Sequence, residues 1–506
     1  MSGTGALRGR VQAEDPSSLD EVLVKVRRHR THLSRLMSAP DATRLVLGLL
    51  FLSRRAHAAP GAGVPTWSWL LDQPAGRGSA IRTAVGACLA HWLPATDVPG
   101  ADAGTRSLMP VPPPGSEGPL HALVQVIGST QRVGPLLDQC LRDLSADQAE
   151  GSHYFTPVDM ARLMVGAAVP RDGHRVLDPV CGSGGLLVES HRYVRDRVEL
   201  DPALSLQGKE RHAHTSQVAR MNFAVRGIAA HVFPPGDSLA EPEPEPHDII
   251  LANLPFNQRD WAPEDKPEDK AEQSARRPAA GPVPVDPRWP EEPPSRGSAD
   301  SAWIQHIAHA LAPAGRAAFL MADRVANSRQ PITRRLRERL LRDDLVECVI
   351  ALPPRVFGHT QAPACLWVLN RDKSARPDWG VVDRRRQVLF INARRAFEPV
   401  PGSRARRLGD KNTASILSTL AAWRGLSEQG AAPTPYIDAA GWSRSCSTDE
   451  ISGREYSLMP TSYAVEPPGP TRDTRSRIER LKLELVQQFE QMGQLELQLL
   501  DALEEI

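Results

Sequence analysis

A doubly wound α/β fold, led by a helical domain and trailed by a long amphipathic helix, is predicted by three features of the sequence. The first is a glycine loop, Val176-Leu177-Asp178-Pro179-Val180-Cys181-Gly182-Ser183-Gly184-Gly185, where a short apolar strand-type run gives way to a tight turn and then a helix beginning near Ser183. The second is a succession of later apolar runs, each closed by a polar residue: Glu210 in Gly208-Lys209-Glu210, Asp237 in Gly236-Asp237-Ser238-Leu239, and Asn253 in Asp248-Ile249-Ile250-Leu251-Ala252-Asn253-Leu254-Pro255-Phe256. The third is apolar spacing of three and four residues ahead of the loop and of seven residues at the C-terminal end.

Length and composition narrow the reading. The 506 residues can bury a large core and divide into two or three structural units. With 61 Lys+Arg against 60 Asp+Glu the chain is no polycation, so contact with nucleic acid needs a local basic surface or a partner. The cysteines, Cys88, Cys140, Cys181, Cys348, Cys365 and Cys446, lack paired spacing, which points to neither a metal site nor a disulfide framework and fits a reducing cytoplasm. No targeting signal stands out, and the apolar run Leu45–Leu52 is too short to span a bilayer and reads as a buried helix.

Taken in order, residues 1–17 are polar, without periodicity, and expected to be disordered. Residues 18–147 read as a helical domain: Leu19, Val22, Leu23 and Val26, then Leu33, Leu36 and Met37, keep helical spacing, and the pattern returns over Leu120–Leu144 after a Pro- and Gly-rich linker at about 94–119. The sheet domain spans 148–470. Glu241-Pro242-Glu243-Pro244-Glu245-Pro246 should be an extended, solvated loop, and about 258–299, dense in Pro and charge, a flexible insertion. Ala302–Leu311 reads as a helix and Arg316–Met321 as a strand. Ile332–Leu341 is a basic helix with Arg334, Arg335, Arg337, Arg339 and, just beyond, Arg342; a solvated face is its first reading and a phosphate contact the sharper one. Strands follow at 345–352 and 364–369, and past Ala393 the pattern weakens. Residues 471–506 carry heptads, with Ile478, Leu485, Met492, Leu499 and Ile506 in one seam position and Leu481, Gln488, Leu495 and Ala502 in the other.

The glycine loop allows close backbone approach, and the helix that follows it offers free amides to an anionic group. Strand ends are where open α/β sheets place ligands, and Glu210 there could accept both hydroxyls of a ribose, with Asp237 near an adenine ring. Singly, each acid reads as a helix cap or loop residue; in sequence they describe a nucleoside pocket.

These residues resemble the adenine-N6 DNA methyltransferases, in particular the modification subunits of type I restriction-modification systems. His153-Tyr154-Phe155-Thr156-Pro157, with the helix-like Val158–Val165 after it, resembles the family's segment before its glycine loop. Ala302–Ile307 and Leu345–Pro354 resemble its later sheet strands, and Gly453–Pro460 its final segment, so the likeness runs from about Ser18 to the C-terminus with gaps at the insertions.

The resemblance implies a Rossmann-like class I S-adenosylmethionine-dependent methyltransferase sheet, an N-terminal helical domain and a C-terminal coiled-coil helix. It places S-adenosylmethionine among Phe155, Thr156, Pro157, Asp178, Cys181, Gly182, Ser183, Gly184, Glu210 and Asp237, with Thr156 near the methionine carboxylate. Asn253, the carbonyl of Leu254, Pro255 and Phe256 would act on a flipped-out adenine. Implied partners are double-stranded DNA, a specificity subunit, and a second copy of the chain or a restriction subunit, with no membrane. The family usually has Asn-Pro-Pro-Phe or Tyr where this chain has Leu254, and a proline where Met321-Ala322-Asp323 ends its strand. Two alternatives stand beside this reading: a scaffold homologue weakened through Leu254, and a methyltransferase of a protein glutamine or an RNA base.

Overall fold

The computed structural model describes residues 18–55, 64–93, 108–147 and 156–256, most of 258–261 and 286–466, and most of 480–493. Local sequence chemistry starts the helices of the first domain. The Ser18 hydroxyl accepts the Glu21 amide at the head of α1 (Leu19–Leu33), and Ser38 does the same for Asp41 at the head of α2 (Ala39–Arg54), where Pro40 sits in the first turn. Thr66 caps α3 (Trp67–Leu71); α4 (Gly78–Trp92), α5 (Glu117–Gly128) and α6 (Val133–Asp147) complete the group. Leu45–Leu52 lies in α2 and is buried throughout, as its apolar run required. Helix α5 begins at Glu117, a few residues inside the stretch that reads as linker; 94–107, like 1–17, lies outside the described residues.

After α7 (Val158–Ala168) the chain enters the sheet: β1 (Arg175–Asp178), α8 (Gly185–Arg195), β2 (Ser205–Gly208), α9 (Ala213–Arg226), β3 (Ala230–Val232) and β4 (His247–Asn253). Then come α10 (Asp300–Ala310), β5 (Leu311–Ala322), α11 (Asp323–Asn327), α12 (Pro331–Arg342), β6 (Val346–Ala351), β7 (Ala364–Asn370) and β8 (Gln387–Asn392). A short pair, β9 (Glu398–Pro399) and β10 (Arg406–Arg407), precedes α13 (Gly409–Arg424) and β11 (Ser443–Ser447). The main sheet runs β11-β8-β6-β7-β5-β4-β1-β2-β3. Strands β1 to β5 are mutually parallel, β7 lies antiparallel between β5 and β6, and β11 closes the edge antiparallel to β8. The order reverses between β1 and β4, so the C-terminal ends of those strands flank the switch point where such sheets bind ligands.

Helices cover both faces. One apolar layer joins α7, α8 and α13 to the sheet, the other α10, α11 and α12. Strands buried on both sides read as continuous apolar runs, and residues 364–369 of β7 are apolar and buried at every position. The helical domain shares a third layer with α9 through Val218, Met221 and Val225, so it is fastened to the sheet domain by the helix that follows β2.

Four expectations are corrected. Ala302–Ile307, likened to a sheet strand, lies in α10, as its own periodicity indicated. The chain past Ala393 adds β11 to the main sheet despite its weak pattern. Glu243, in the stretch read as solvated, is buried and paired with Lys209 Nζ at 2.7 Å and His306 Nε2 at 3.2 Å. Arg337 is buried too, its guanidinium donating to the carbonyls of Val325, Ser328 and Tyr456, which removes it from any phosphate-binding face.

The sheet centre holds a buried ion cluster. Glu347 on β6 is ion-paired with Arg316 of β5, whose Nε stands 3.0 Å away and whose Nη2 donates at 3.4 Å, and it accepts both Nε and Nη2 of Arg424, the last residue of α13, at 2.9 and 2.8 Å. Arg424 also donates to the carbonyl of Ala167 at the end of α7, tying two surface helices to the strands. Burial alone would raise the Glu347 carboxyl; the two guanidiniums overcome it and hold it at about 2. Glu347→Ala leaves two buried cations facing each other and is expected to cost roughly 3–5 kcal/mol in urea unfolding. Because the folded value lies below the ordinary 4.5, the wild-type advantage is complete above pH 4.5 and vanishes as pH falls toward 2.

Candidate active site

The turn after β1 is held from two sides. The Asp178 carboxyl accepts the Val180 amide at 3.0 Å, and backbone bonds from Lys209 N to Asp178 O and from Cys181 N to Lys209 O stitch the turn to the end of β2. The Gly182 amide reaches across to Glu210 Oε2 at 3.2 Å. Gly182 and Gly184 have φ of 53° and 83°, and a Cβ on Gly184 would stand 2.5 Å from the Phe223 ring of α9. Only glycine fits there. Helix α8 starts at Gly185, two residues later than the sequence suggests, and Ser183 belongs to the turn, its carbonyl held by Asn222 Nδ2 at 2.7 Å.

The side chain of Cys181 is buried, its sulfur 2.9 Å from where a Cβ on Gly208 would stand. Burial pushes its thiol well up, so Cys181 stays protonated and is no nucleophile. Glu210 is buried and heavily used, taking the Gly182 amide, the His212 amide at 2.8 Å and His212 Nδ1 at 3.1 Å. A carboxylate has about four acceptor positions, so one remains, or two when the exposed His212 ring turns away. The two ribose hydroxyls expected on Glu210 must therefore compete with that ring. Asp237 caps the Leu239 amide at 2.9 Å, with Arg211 at 3.9 Å, and Ser238 donates to the carbonyl of Pro179 at 2.6 Å, which draws the loop after β3 onto the glycine turn.

On the other side of the switch point β4 ends in Asn253, whose Nδ2 donates to Thr156 Oγ1 at 3.3 Å, joining segments 97 residues apart. Pro157 is the N-cap of α7; Phe155 lies outside the described residues. Leu254, where proline is usual, is 3% exposed and belongs to the apolar cluster that includes Leu177 and Trp303. Pro255 is partly exposed, and the Phe256 ring meets Phe357 edge-to-face, centroids 6.3 Å apart and planes at 83°. Beyond it Gln258 is fixed, its side chain accepting Trp303 Nε1 at 3.2 Å and its carbonyl the Ala299 amide at 3.0 Å.

Sequence reasoning missed Phe357 and the Lys209–Glu243–His306 group. Phe357 follows Leu352-Pro353-Pro354 outside any periodic run, and the charged group joins residues from three segments. It also missed the contacts at the end of β5: Asp323 accepts Cys365 Sγ and pairs with Arg394, which in turn donates to the carbonyl of Leu352 at 2.6 Å. A cleft lined by Arg44 of α2, Leu144 of α6, Ser183 and His212 brings the helical domain beside the turn. No cluster of potential metal ligands occurs among the described residues.

The pattern of the family described as N-6 DNA Methylase matches residues 129–468. The type I restriction enzyme HindI methylase subunit of Haemophilus influenzae is 33% identical over 325 residues, covering 62% of this chain and 65% of its own. The MjaVII methylase subunit of Methanocaldococcus jannaschii is 28% identical over 340 residues, covering 65% of this chain and 52% of its own. The chain thus spans between half and two thirds of the length of these relatives. Among solved structures, the type I restriction-modification system methyltransferase subunit from Streptococcus thermophilus is similar with a TM-score of 0.63 at 18% identity, covering 88% of this chain and 100% of that one. At that identity the likeness is one of fold.

Two outcomes test the turn. Gly184→Ala forces a clash and a left-handed backbone on a Cβ, and should cost about 1–3 kcal/mol in urea titration, whereas Gly185→Ala, which meets nothing, should be neutral or mildly stabilising. Burial pushes the Asp178 carboxyl up to about 8, with Glu210 adding to the rise against the opposing Val180 bond. Its folded value lies above the ordinary 3.8, so its contribution is full below that pH and lost as pH climbs through 8. Asp178→Asn, which keeps an acceptor for Val180, should therefore gain in Tm relative to wild type steadily from pH 4 to about 8.

Proposed function

The chain belongs to the N-6 DNA Methylase family, and on that footing we propose that it is the modification subunit of a type I restriction-modification system, methylating the N6 amine of adenine in DNA with S-adenosylmethionine. The observation that carries this is the convergence of the Asn253-Leu254-Pro255-Phe256 loop with Thr156 at the switch point, beside a glycine turn bordered by Asp178, Glu210 and Asp237.

These residues suit the cofactor. The left-handed Gly182 and Gly184 let the backbone turn tightly at the end of β1, and Glu210 and Asp237 at the two following strand ends favour a donor bearing a sulfonium and an ammonium. When bound, S-adenosylmethionine supplies an electrophilic methyl group. Thr156 and the glycine turn would hold its amino-acid end, Glu210 the ribose and Asp237 the adenine.

The protein's task is positioning, because the amine's lone pair is conjugated with the purine ring. Asn253 Oδ1 and the Leu254 carbonyl each accept an N–H of the amine, drawing its lone pair out of conjugation and toward the methyl group. Phe256 stacks on the base, which must leave the duplex to be reached, and Phe357 adds an apolar edge. Burial of the Leu254 side chain gives the loop an anchor in place of the missing proline ring, which favours an active enzyme over a weakened scaffold.

Sequence specificity comes from a partner. In the helical residues 480–489 and 491–493, Leu481, Leu485 and Met492 of the heptad seam are exposed, and this stripe is suited to the helices of a specificity subunit. The remaining apolar seam positions, Ile478, Leu495, Leu499, Ala502 and Ile506, lie outside the described residues. No described helix is long and apolar enough to cross a membrane, and the site of action is taken to be the cytoplasm, with the DNA.

Single-molecule methylation mapping of DNA from a host expressing the chain with its specificity subunit tests this reading. N6-methyladenine should appear at one bipartite motif and fall roughly 100- to 1,000-fold with Asn253→Ala, while S-adenosylhomocysteine affinity by calorimetry stays within a few-fold. Cofactor binding without any DNA methylation would transfer the weight to a scaffold; methylation of RNA or of a protein glutamine instead would change the substrate.

A further inference from the structure

Asn253 can serve the target amine in only one of its two amide orientations. Turning the amide over exchanges Oδ1 for Nδ2, setting donor against donor and forfeiting a desolvated hydrogen bond, a loss of roughly 10- to 100-fold in rate. Something must hold the productive face outward. The atom facing Nδ2 is Thr156 Oγ1, at 3.3 Å.

Both ends of this bond are fixed by the core. Asn253 is the last residue of β4, in register with Leu320 of β5. Thr156 directly precedes Pro157, the N-cap of α7, and α7 packs against β4 and β5 with Leu163, Met164 and Val165 buried. A hydroxyl, however, both accepts and donates, so by itself it would satisfy either end of an amide. The destination of its one hydrogen makes the choice. Drawn to an anion, the hydrogen leaves Oγ1 as an acceptor, and only Nδ2 can then face it.

We propose that Thr156 is a positioning residue that sets the polarity of the Asn253 amide, and that it does so most firmly when its hydroxyl donates to the carboxylate of the bound cofactor. The inference rests on the methyltransferase reading and adds an order to it: cofactor loading prepares the base pocket by fixing Oδ1 outward before the adenine arrives.

Selective nitrogen labelling of asparagine in the full chain, with Asn253→Ala to identify the signal, reads the amide without turnover. Its side-chain protons should exchange slowly with solvent, and several-fold more slowly with S-adenosylhomocysteine. Thr156→Val should abolish both effects and Thr156→Ser restore them. In the methylating complex at saturating cofactor, Thr156→Val should lower single-turnover methylation roughly 10- to 100-fold. In an Asn253→Asp background, whose two oxygens both accept, the same change should cost less than about threefold. An Asn253 signal indifferent to Thr156→Val, or equal losses in both backgrounds, overturns the inference and leaves the methyltransferase standing. The exchange measurement decides the matter even where Asn253→Asp is inactive. A wild-type chain that neither binds S-adenosylhomocysteine nor methylates DNA overturns both.

Discussion

The hydrogen bond from the Gly182 amide to the Glu210 carboxylate joins the ends of β1 and β2, and the geometry of the site depends on it. A turn with this much glycine is entropically costly to order. It is ordered here because several groups converge on it: Glu210 from β2, the Asp178 cap from within, and α9 from outside. Helix α9 does two things at once. Phe223 closes over Gly184 and Asn222 holds the Ser183 carbonyl, while Val218, Met221 and Val225 enter the apolar layer of the helical domain. The helical domain therefore braces the turn through a single helix.

Much of this was legible in the chain. Strands buried on both faces are written as unbroken apolar runs, and the polar residues that end them stand out by contrast, which is why Asp178, Glu210 and Asn253 could be found at strand ends. The helical domain announced itself by its apolar spacing, while the Ser18 and Ser38 caps show only in the structure. What escaped were pairings between distant segments. Glu243 looked like one acid among three in a proline-rich stretch; only folding brings Lys209 and His306 around it. Arg337 shares a basic helix with exposed neighbours, and spacing cannot tell that the carbonyls of Val325, Ser328 and Tyr456 wait beneath it. Cys181 was assigned by its place in the loop, a place that fixes its backbone but says nothing of where its sulfur packs.

Leu254 shows how one restraint can stand in for another. A proline restricts a loop locally by fixing φ. Leu254 restricts it by burial, with its side chain in the cluster under β4, and Gln258 pins the chain again four residues on by binding Trp303 and Ala299. Between the two anchors lie Pro255 and Phe256, so the aromatic ring extends from a short span held at both ends. A polar residue at position 254 would lose that anchor without regaining the ring restraint, which makes the departure from the usual motif a coherent alternative.

The charge distribution sets what this chain can offer a polyanion. Its net charge is +1, yet Arg288, Arg316, Arg337 and Arg424 are buried, each held by carboxylates or carbonyls inside the fold. Cations committed to the interior offer nothing to phosphates, and buried acids such as Glu189, Glu210, Glu243 and Glu347 offset them, so the surface stays close to balance. On the proposed reading, binding that relies on counterion release draws on a local basic face or on a second chain, and the exposed heptad seam is suited to recruit one. Under the proposed function, little grip of its own makes methylation conditional on assembly, since the partner that reads the sequence also supplies the hold.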